Sequence, residues 1–188
     1  MRSSGSTRSL PGDRPVRLFI VLAGEDHPKA CTGRRLLHRG LARAATLADH
    51  RSPPPIVLDP YAGDPLSRAD LPRAVQGGFL AVDCSWNRLS ARGRFPGPAA
   101  NGQPRRRLPL LIATNPQHYG RPAQLNTVEA LAAALAVIGR GAEAARLLQG
   151  FRGSEEFLRV NRERLSAYRA GPDADAVRSA ERRLFGGE

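Results

Sequence analysis

Three short runs of apolar residues constrain the fold of this chain more than any other feature. VRLFIVLA (16–23), IVLDP (56–60) and FLAVDCSW (79–86) are rich in β-branched and aromatic residues. Runs that are apolar on both faces are typical of parallel strands covered by helices. A fourth run, RLPLLIATN (107–115), predicts a further strand after a polar, arginine-rich loop. The front of the chain is therefore expected to be α/β.

Helical patterns lie between and after these runs. Thr32 is a candidate N-cap for a helix after the first strand, and Ser67 with Asp70 forms a capping-box pattern. Residues 127–138 are apolar nearly all round, so they predict a buried helix with Thr127 as its cap. The remaining helices are amphipathic, and the last, PDADAVRSAERRLF, is expected to be exposed.

The 188 residues fit one domain with a helical annex. We expect a flexible tail over 1–15, an α/β part over 16–107, and a strand with helices over 108–188. No apolar run reaches the roughly 18 residues that a membrane span needs. Two cysteines are too few for a disulfide scaffold or a structural zinc site, which favours a reduced, cytoplasmic setting.

The formal net charge of +12 has two interpretations. All basic residues except Lys29 are arginine, as a GC-rich genome would produce. A polyanionic partner such as RNA is the other interpretation, because basic surfaces attract nucleic acids. The candidates for phosphate contact are arginines of the loop before the fourth run, with two weaker ones elsewhere: Arg105, Arg106, Arg107, Arg73 and Arg146.

Ligands of α/β proteins bind at strand ends, and two strand ends here carry suggestive residues. Leu58 and Pro60 close one run, and Asp83 and Trp86 close another. They would form an apolar wall beside a carboxylate. The alternative is that Trp86 only fills the core and Asp83 only caps a turn. The four histidines, among them His118, are scattered in sequence and do not predict a metal site.

Four motifs in order resemble one enzyme family. They are CTGRRL (31–36), LAVDCSW (80–86), LPLLIATNPQHYGRP (108–122) and LNTVEALAAAL (125–135). The chain resembles the aminocarboxypropyltransferases that modify small-subunit rRNA in archaea and eukaryotes. FLRVNRERLSAY (157–168) is similar to the C-terminal part of the same family.

The resemblance implies a SPOUT-like α/β fold with a deep trefoil knot, followed by a helical C-terminal half, in a monomer. It implies S-adenosylmethionine as co-substrate, without a metal. The implied reaction transfers the 3-amino-3-carboxypropyl group to a pseudouridine, N1-methylated in eukaryotes, and releases 5′-methylthioadenosine.

The resemblance also assigns roles to individual residues. It implies that Asp83 assists loss of the ring-nitrogen proton, as base or as orienting group. Cofactor contacts, mostly through the main chain, fall on Thr32, Val82, Leu108, Ala123 and Thr127. The apolar wall is formed by Leu58, Pro60 and Trp86. Ala123 departs from the family, which more often carries an aromatic residue there.

Two other functions are compatible with the same sequence. One is a SPOUT-type RNA methyltransferase, which would transfer the methyl group of the same cofactor. The other is a ribosome-assembly factor that binds RNA without catalysis.

Overall fold

The computed structural model describes residues 14–23, 31–46, 51–93, 95 and 103–186. Five parallel strands form one sheet in the order β2-β1-β4-β3-β5. Their bounds are β1 Leu18–Leu22, β2 Arg43–Ala44, β3 Ile56–Leu58, β4 Phe79–Asp83 and β5 Arg105–Arg106.

Helices follow or cover the strands. The α-helices are α1 Thr32–His38, α2 Leu71–Gly77, α3 Trp86–Arg92, α4 Thr127–Val137, α5 Gly141–Leu148, α6 Phe157–Val160, α7 Arg162–Ala170 and α8 Ala174–Phe185. Single 3₁₀ turns precede α2 at Arg68–Asp70 and α6 at Ser154–Glu156. No helix of the described ranges is long and apolar enough to cross a membrane.

The α/β prediction is confirmed, since the first three apolar runs form β1, β3 and β4, all parallel. One detail was wrong: strand β2 falls within a segment whose leucines predicted a helix. The third run is a strand up to Asp83, and Trp86 begins helix α3.

The fourth predicted strand, over 107–115, is wrong. The edge strand next to β3 is β5, which lies in the chain just before the apolar run. The run itself is extended and forms isolated bridges only. Side chains from the C-terminal half satisfy two of its N–H groups: Leu110 N–H donates to Glu181, and Ile112 N–H donates to Asn161. The Ala113 N–H donates to the Arg121 carbonyl. This explains how an extended apolar segment remains outside the sheet ladder.

One core joins the two halves of the chain. A single cluster of buried side chains extends from Val16 on the strand side to Ala180 in α8. Helix α4 is buried nearly all round, as predicted. Helix α8 was expected to be exposed, yet it buries Val177, Ala180 and Glu181. The boundary predicted after residue 107 stays a prediction, and packing is continuous across it.

Helix caps differ from two predictions by one residue each. Cys31, not Thr32, caps α1, and its sulfur accepts the Arg34 N–H. Asn126, not Thr127, caps α4. Both threonines are therefore the first residues of their helices. The capping box predicted for Ser67 and Asp70 is confirmed.

Candidate functional site

A cavity of about 540 Å³ lies at the carboxyl ends of β3 and β4. This volume is in the range of small-molecule sites, roughly 300–1,000 Å³. The structure brings together in its wall all nine positions predicted for cofactor binding and catalysis. They are Thr32, Leu58, Pro60, Val82, Asp83, Trp86, Leu108, Ala123 and Thr127.

Asp83 ends β4 and joins two helix starts. Its Oδ1 accepts a hydrogen bond from the Thr127 hydroxyl at 2.6 Å. Its Oδ2 accepts from the Gly33 N–H at 3.0 Å and from the Cys31 thiol at 2.7 Å. The residue is only 7% exposed. Three internal donors therefore hold the carboxylate in one orientation, between α1 and α4.

Glycine at position 33 permits this arrangement. A Cβ on Gly33 would lie 2.2 Å from Asp83 Oδ2 and 2.8 Å from Asp83 Cγ. Such distances are far inside van der Waals contact, so a larger residue would displace the carboxylate. The Gly of CTGRRL is thus required by close approach of a side chain to the main chain.

The Cys31 thiol acts as a donor at this junction. Burial, reinforced by the hydrogen bond to Asp83, raises the pKa of Cys31 from 9.0 to about 11. The thiol consequently stays protonated at neutral pH. It serves the fold as a cap and a hydrogen-bond donor rather than as a thiolate nucleophile.

Trp86 forms an apolar part of the wall at the start of α3. Its indole Nε1 donates to the Leu125 carbonyl at 2.8 Å, which fixes the ring against the segment before α4. Leu58, Leu89 and Phe95 line the same cavity. An apolar surface with one polar anchor is typical of sites that orient small ligands.

The wall that contains Leu108 is held in place by α8. Arg107 forms a bidentate ion pair with Glu181, with N–O distances of 2.8 and 2.6 Å. The same carboxylate accepts the Leu110 N–H at 2.8 Å. Hydrogen bonding to Glu181 raises the pKa of Arg107. Glu181 was not singled out from the sequence, because its partners lie more than 70 residues away in the chain.

Glu129 is a second structural carboxylate that sequence reasoning missed. It is 0% exposed and accepts from the Thr114 N–H and hydroxyl, the Asn115 amide and the Asn126 N–H. It thereby ties the turn after residue 113 to the start of α4. The capping-box spacing from Asn126 to Glu129 was a local signal for part of this network.

Comparison with known proteins agrees with this geometry. Residues 56–185 match the family model described as "Ribosome biogenesis protein, C-terminal". The 16S rRNA aminocarboxypropyltransferase of Methanopyrus kandleri is 44% identical over 168 residues, which cover 87% of this chain and 96% of the relative. The 18S rRNA aminocarboxypropyltransferase of Schizosaccharomyces pombe is 35% identical, covering 91% of this chain and 58% of the relative.

A solved structure is similar as well. The SAM-dependent rRNA:acp-transferase from Vulcanisaeta distributa has a TM-score of 0.72 and 31% sequence identity, and the match covers 92% of this chain and 99% of that one. This chain belongs to the rRNA aminocarboxypropyltransferase family. Family membership agrees with the resemblance carried by the four sequence motifs.

Ala123 is the position at which the sequence resemblance implies an aromatic residue in other members of the family. Ala123 has a φ of 62°, and no other non-glycine residue of the described ranges has a positive φ. Its N–H donates to the Leu111 carbonyl, and its carbonyl accepts from the Leu125 N–H, both at 2.9 Å. A cofactor contact by this main chain would use the second lone pair of the carbonyl oxygen.

The RNA contacts predicted from the charge of the chain fall into two structural groups. Arg105, Arg106 and Arg107 lie in or next to β5, not in a loop, and each pairs with a buried carboxylate. The partners are Asp59 at 2.8 Å, Asp70 at 3.1 Å and Glu181 at 2.6 Å. Arg73 in α2 and Arg146 in α5 are exposed. RNA binding by all five stays a prediction, and the exposed pair suits it better.

His118 lines the cavity, with Nδ1 buried and without a hydrogen-bond partner among the described residues. Its main-chain N–H donates to Asn115. Within the described ranges, no cluster of three or more histidine, cysteine or acidic side chains is placed to hold a metal ion.

Proposed function

We propose that this chain transfers the 3-amino-3-carboxypropyl group of S-adenosylmethionine to a pseudouridine of small-subunit rRNA, releasing 5′-methylthioadenosine. The observation that carries the proposal is the cavity, which gathers nine predicted positions from Thr32 to Thr127 in a member of this family. An N1-methylated pseudouridine is the proposed acceptor where the RNA carries that prior modification.

The residues present fit a sulfonium cofactor. Trp86 offers an indole face, and attraction of a cation to such a face contributes ~1 kcal/mol or more when desolvated. Leu58 and Pro60 give an apolar surface suited to the S-methyl group. Thr32 and the start of α4 at Thr127 lie at the polar end, where a helix N-terminus favours a carboxylate.

The choice of transferred group follows from orientation. A sulfonium has three electrophilic carbons, and the carbon presented to the nucleophile reacts. In the proposed step a bond forms between the ring imide nitrogen and the terminal carbon of the aminocarboxypropyl arm. The carbon–sulfur bond breaks, its electron pair stays on sulfur, and the ring nitrogen releases its proton to water.

For Asp83 we favour the orienting role over that of a general base. Both carboxylate oxygens already accept internal hydrogen bonds, from Thr127 on one side and from Cys31 and Gly33 on the other. These donors occupy three of the roughly four acceptor sites of the carboxylate and hold it in one orientation. A fixed negative charge can instead align a partner without moving.

The decisive experiment compares two labels. The protein is incubated with small-subunit rRNA and with S-adenosylmethionine labelled either in the carboxyl group or in the methyl group. We expect the carboxyl label in RNA and the methyl label in the released nucleoside. Methyl label in the RNA would indicate a methyltransferase. If neither label entered the RNA and calorimetry detected no cofactor binding, the protein would be an assembly factor.

We also propose that the chain is a SPOUT-like knotted monomer that acts in the cytoplasm. The segment between β5 and α4 runs outside the sheet, while α4 packs against β4 and α1. Such a path suits threading of the C-terminal half. The knot is tested by pulling the unfolded chain from both ends. A tightened knot would make its end-to-end length shorter than the length of about 3.6 Å per residue expected for an extended chain. Light scattering would measure the molar mass and so test the monomeric state. Fractionation of source cells would test the cytoplasmic location.

A further inference from the structure

Two exposed tyrosines, Tyr61 and Tyr119, directly follow residues that line the cavity. Among the described residues the exposed large hydrophobic side chains are Tyr61, Tyr119 and Leu184, at 51%, 71% and 39% exposure. Single exposed apolar residues are ordinary on protein surfaces. The two tyrosines are unusual in their positions. Tyr61 follows Pro60 and Tyr119 follows His118, and both of these preceding residues line the cavity.

Tyr119 is presented by a rigid turn. The His118 N–H donates to both the carbonyl and the side-chain oxygen of Asn115, and the Gly120 N–H donates to the Ala113 carbonyl at 2.9 Å. The Asn115 amide donates in turn to the buried Glu129 at 2.7 Å. An exposed ring on a backbone already fixed loses little conformational entropy when a ligand covers it.

Tyr61 is fixed as well, beside the β3 end of the cavity. Its hydroxyl donates to the Leu89 carbonyl at 3.2 Å, and its N–H donates to Asp59 Oδ1 at 2.9 Å. Leu89 and Asp59 are themselves lining residues. The ring is half exposed although both of its polar groups are held, which leaves its apolar face available.

We infer that Tyr61 and Tyr119 form an aromatic rim on which the bases flanking the target nucleotide stack. This inference rests on the proposed function. A nucleotide whose ring nitrogen enters the cavity must leave its base stack, so its neighbours lose stacking partners. Aromatic side chains replace such partners, and they do so for single-stranded RNA of any sequence.

The surroundings favour RNA as the occupant of this rim. Arg121, two residues after Tyr119, is exposed, and Arg152 lines the cavity. The chain carries a net charge of +12. Exposed aromatic rings interspersed with arginines are the usual combination at single-strand sites, since the rings hold bases and the cations hold phosphates.

The test uses RNA affinity and a local fluorescence signal. Tyr119→Ala and Tyr61→Ala are measured against a small-subunit rRNA stem-loop with a fluorescent adenine analogue beside the target nucleotide. Each change should weaken binding by about 5- to 150-fold, the range for loss of one base–aromatic stack. Each should also reduce quenching of the analogue, while cofactor affinity stays at the wild-type value.

Two control variants complete the design. Tyr119→Phe keeps the ring and should restore both affinity and quenching. Leu184→Ala removes the third exposed apolar side chain, which lies in α8 and does not line the cavity, and should change neither.

Two results would overturn the inference: wild-type affinity and quenching in Tyr119→Ala, or equal weakening on a fully paired RNA duplex. Failure of the proposed function has a different signature, because the unaltered protein would then transfer no carboxyl label to the same stem-loop. If the unaltered protein transfers the label normally and the tyrosine variants bind RNA as it does, the proposed function stands and only the aromatic rim is rejected.

Discussion

The indole Nε1 of Trp86 lies 2.8 Å from the main-chain oxygen of Leu125 and donates a hydrogen bond to it. The bond crosses the cavity wall from α3 to the segment that enters α4. It therefore sets the plane of the ring on which the proposed sulfonium would rest. Different substitutions of Trp86 can remove either the whole ring or only the hydrogen bond to Leu125.

Trp86→Ala is predicted to weaken S-adenosylmethionine binding by about tenfold or more, because both the apolar wall and a cation–π contact disappear. Trp86→Phe keeps an aromatic face but lacks the donor to Leu125, so its cofactor affinity should lie between those of the wild type and Trp86→Ala. Calorimetry measures both. Unchanged affinity in Trp86→Ala would remove this residue from the cofactor site.

Asp83→Asn is predicted to lower turnover by roughly 10²-fold while changing cofactor affinity less. The amide can keep the geometry: its oxygen would accept from Gly33, and its NH₂ would donate to the Thr127 hydroxyl. The charge alone is lost. Single-turnover rates and cofactor affinity are measured on the same preparation, and a wild-type rate would show that Asp83 only shapes the turn.

Gly33→Ala tests the close approach below that carboxylate. The added Cβ would lie 2.2 Å from Asp83 Oδ2, so the carboxylate must shift. We expect a loss of about 1–3 kcal/mol in the free energy of unfolding and weaker cofactor binding. Gly63→Ala is the matched control, because a Cβ there meets no atom within 4 Å. Equal behaviour of the two variants would contradict the steric argument.

The arginines of β5 and those of α2 and α5 are predicted to respond differently. Changing Arg105, Arg106 and Arg107 to Ser leaves three buried carboxylates without their cations, and each lost charged hydrogen bond costs about 1.5–3 kcal/mol. This variant should lose stability and, through Arg107, cofactor affinity. The Arg73→Ser/Arg146→Ser variant should keep both.

A salt series of RNA affinities completes the comparison. If Arg73 and Arg146 contact phosphates, the double variant lowers the salt slope by about 0.7 to 0.9 per contact. An unchanged slope would show that these arginines face away from the RNA. The triple variant is the stability control, since its RNA affinity is interpretable only where melting curves show it folded.

The Cys31 thiol gives a prediction about alkaline pH. Its pKa is raised to about 11 in the folded protein, whereas the unfolded chain releases this proton near 9.0. The folded state therefore holds more protons between these values, and the free energy of unfolding falls as pH rises through the window. Cys31→Ser, which keeps a donor for Asp83, should lose that contribution in denaturant titrations. An identical pH slope in this variant would contradict the assignment.

One part of the cavity wall follows from a rule that the sequence alone can apply. Parallel strands end at one edge of a sheet, so Leu58 and Pro60 must lie near Asp83 and Trp86. Apolar strand runs and a capping box are visible within a few residues. The remaining wall, from Leu108 to Ala123, was placed by family resemblance.

The failures share one cause, which is partnership over long sequence distances. The 107–115 run has the composition of a strand, but the Leu110 and Ile112 N–H groups donate to Glu181 and Asn161, 71 and 49 residues away. Arg105 looks like a loop cation until Asp59, 46 residues earlier, is found beside it. No pattern within a short window contains this information.

The bidentate contact between Arg107 and Glu181 has a consequence for how this protein is made. Glu181 lies in α8, more than 70 residues after Arg107, so the wall around Leu108 lacks its support until α8 has left the ribosome. A nascent chain that still lacks α8 therefore has an incomplete site, and a stop codon before position 181 would produce a protein with a defective site. Ligand binding thus reports that α8 has been made and has packed.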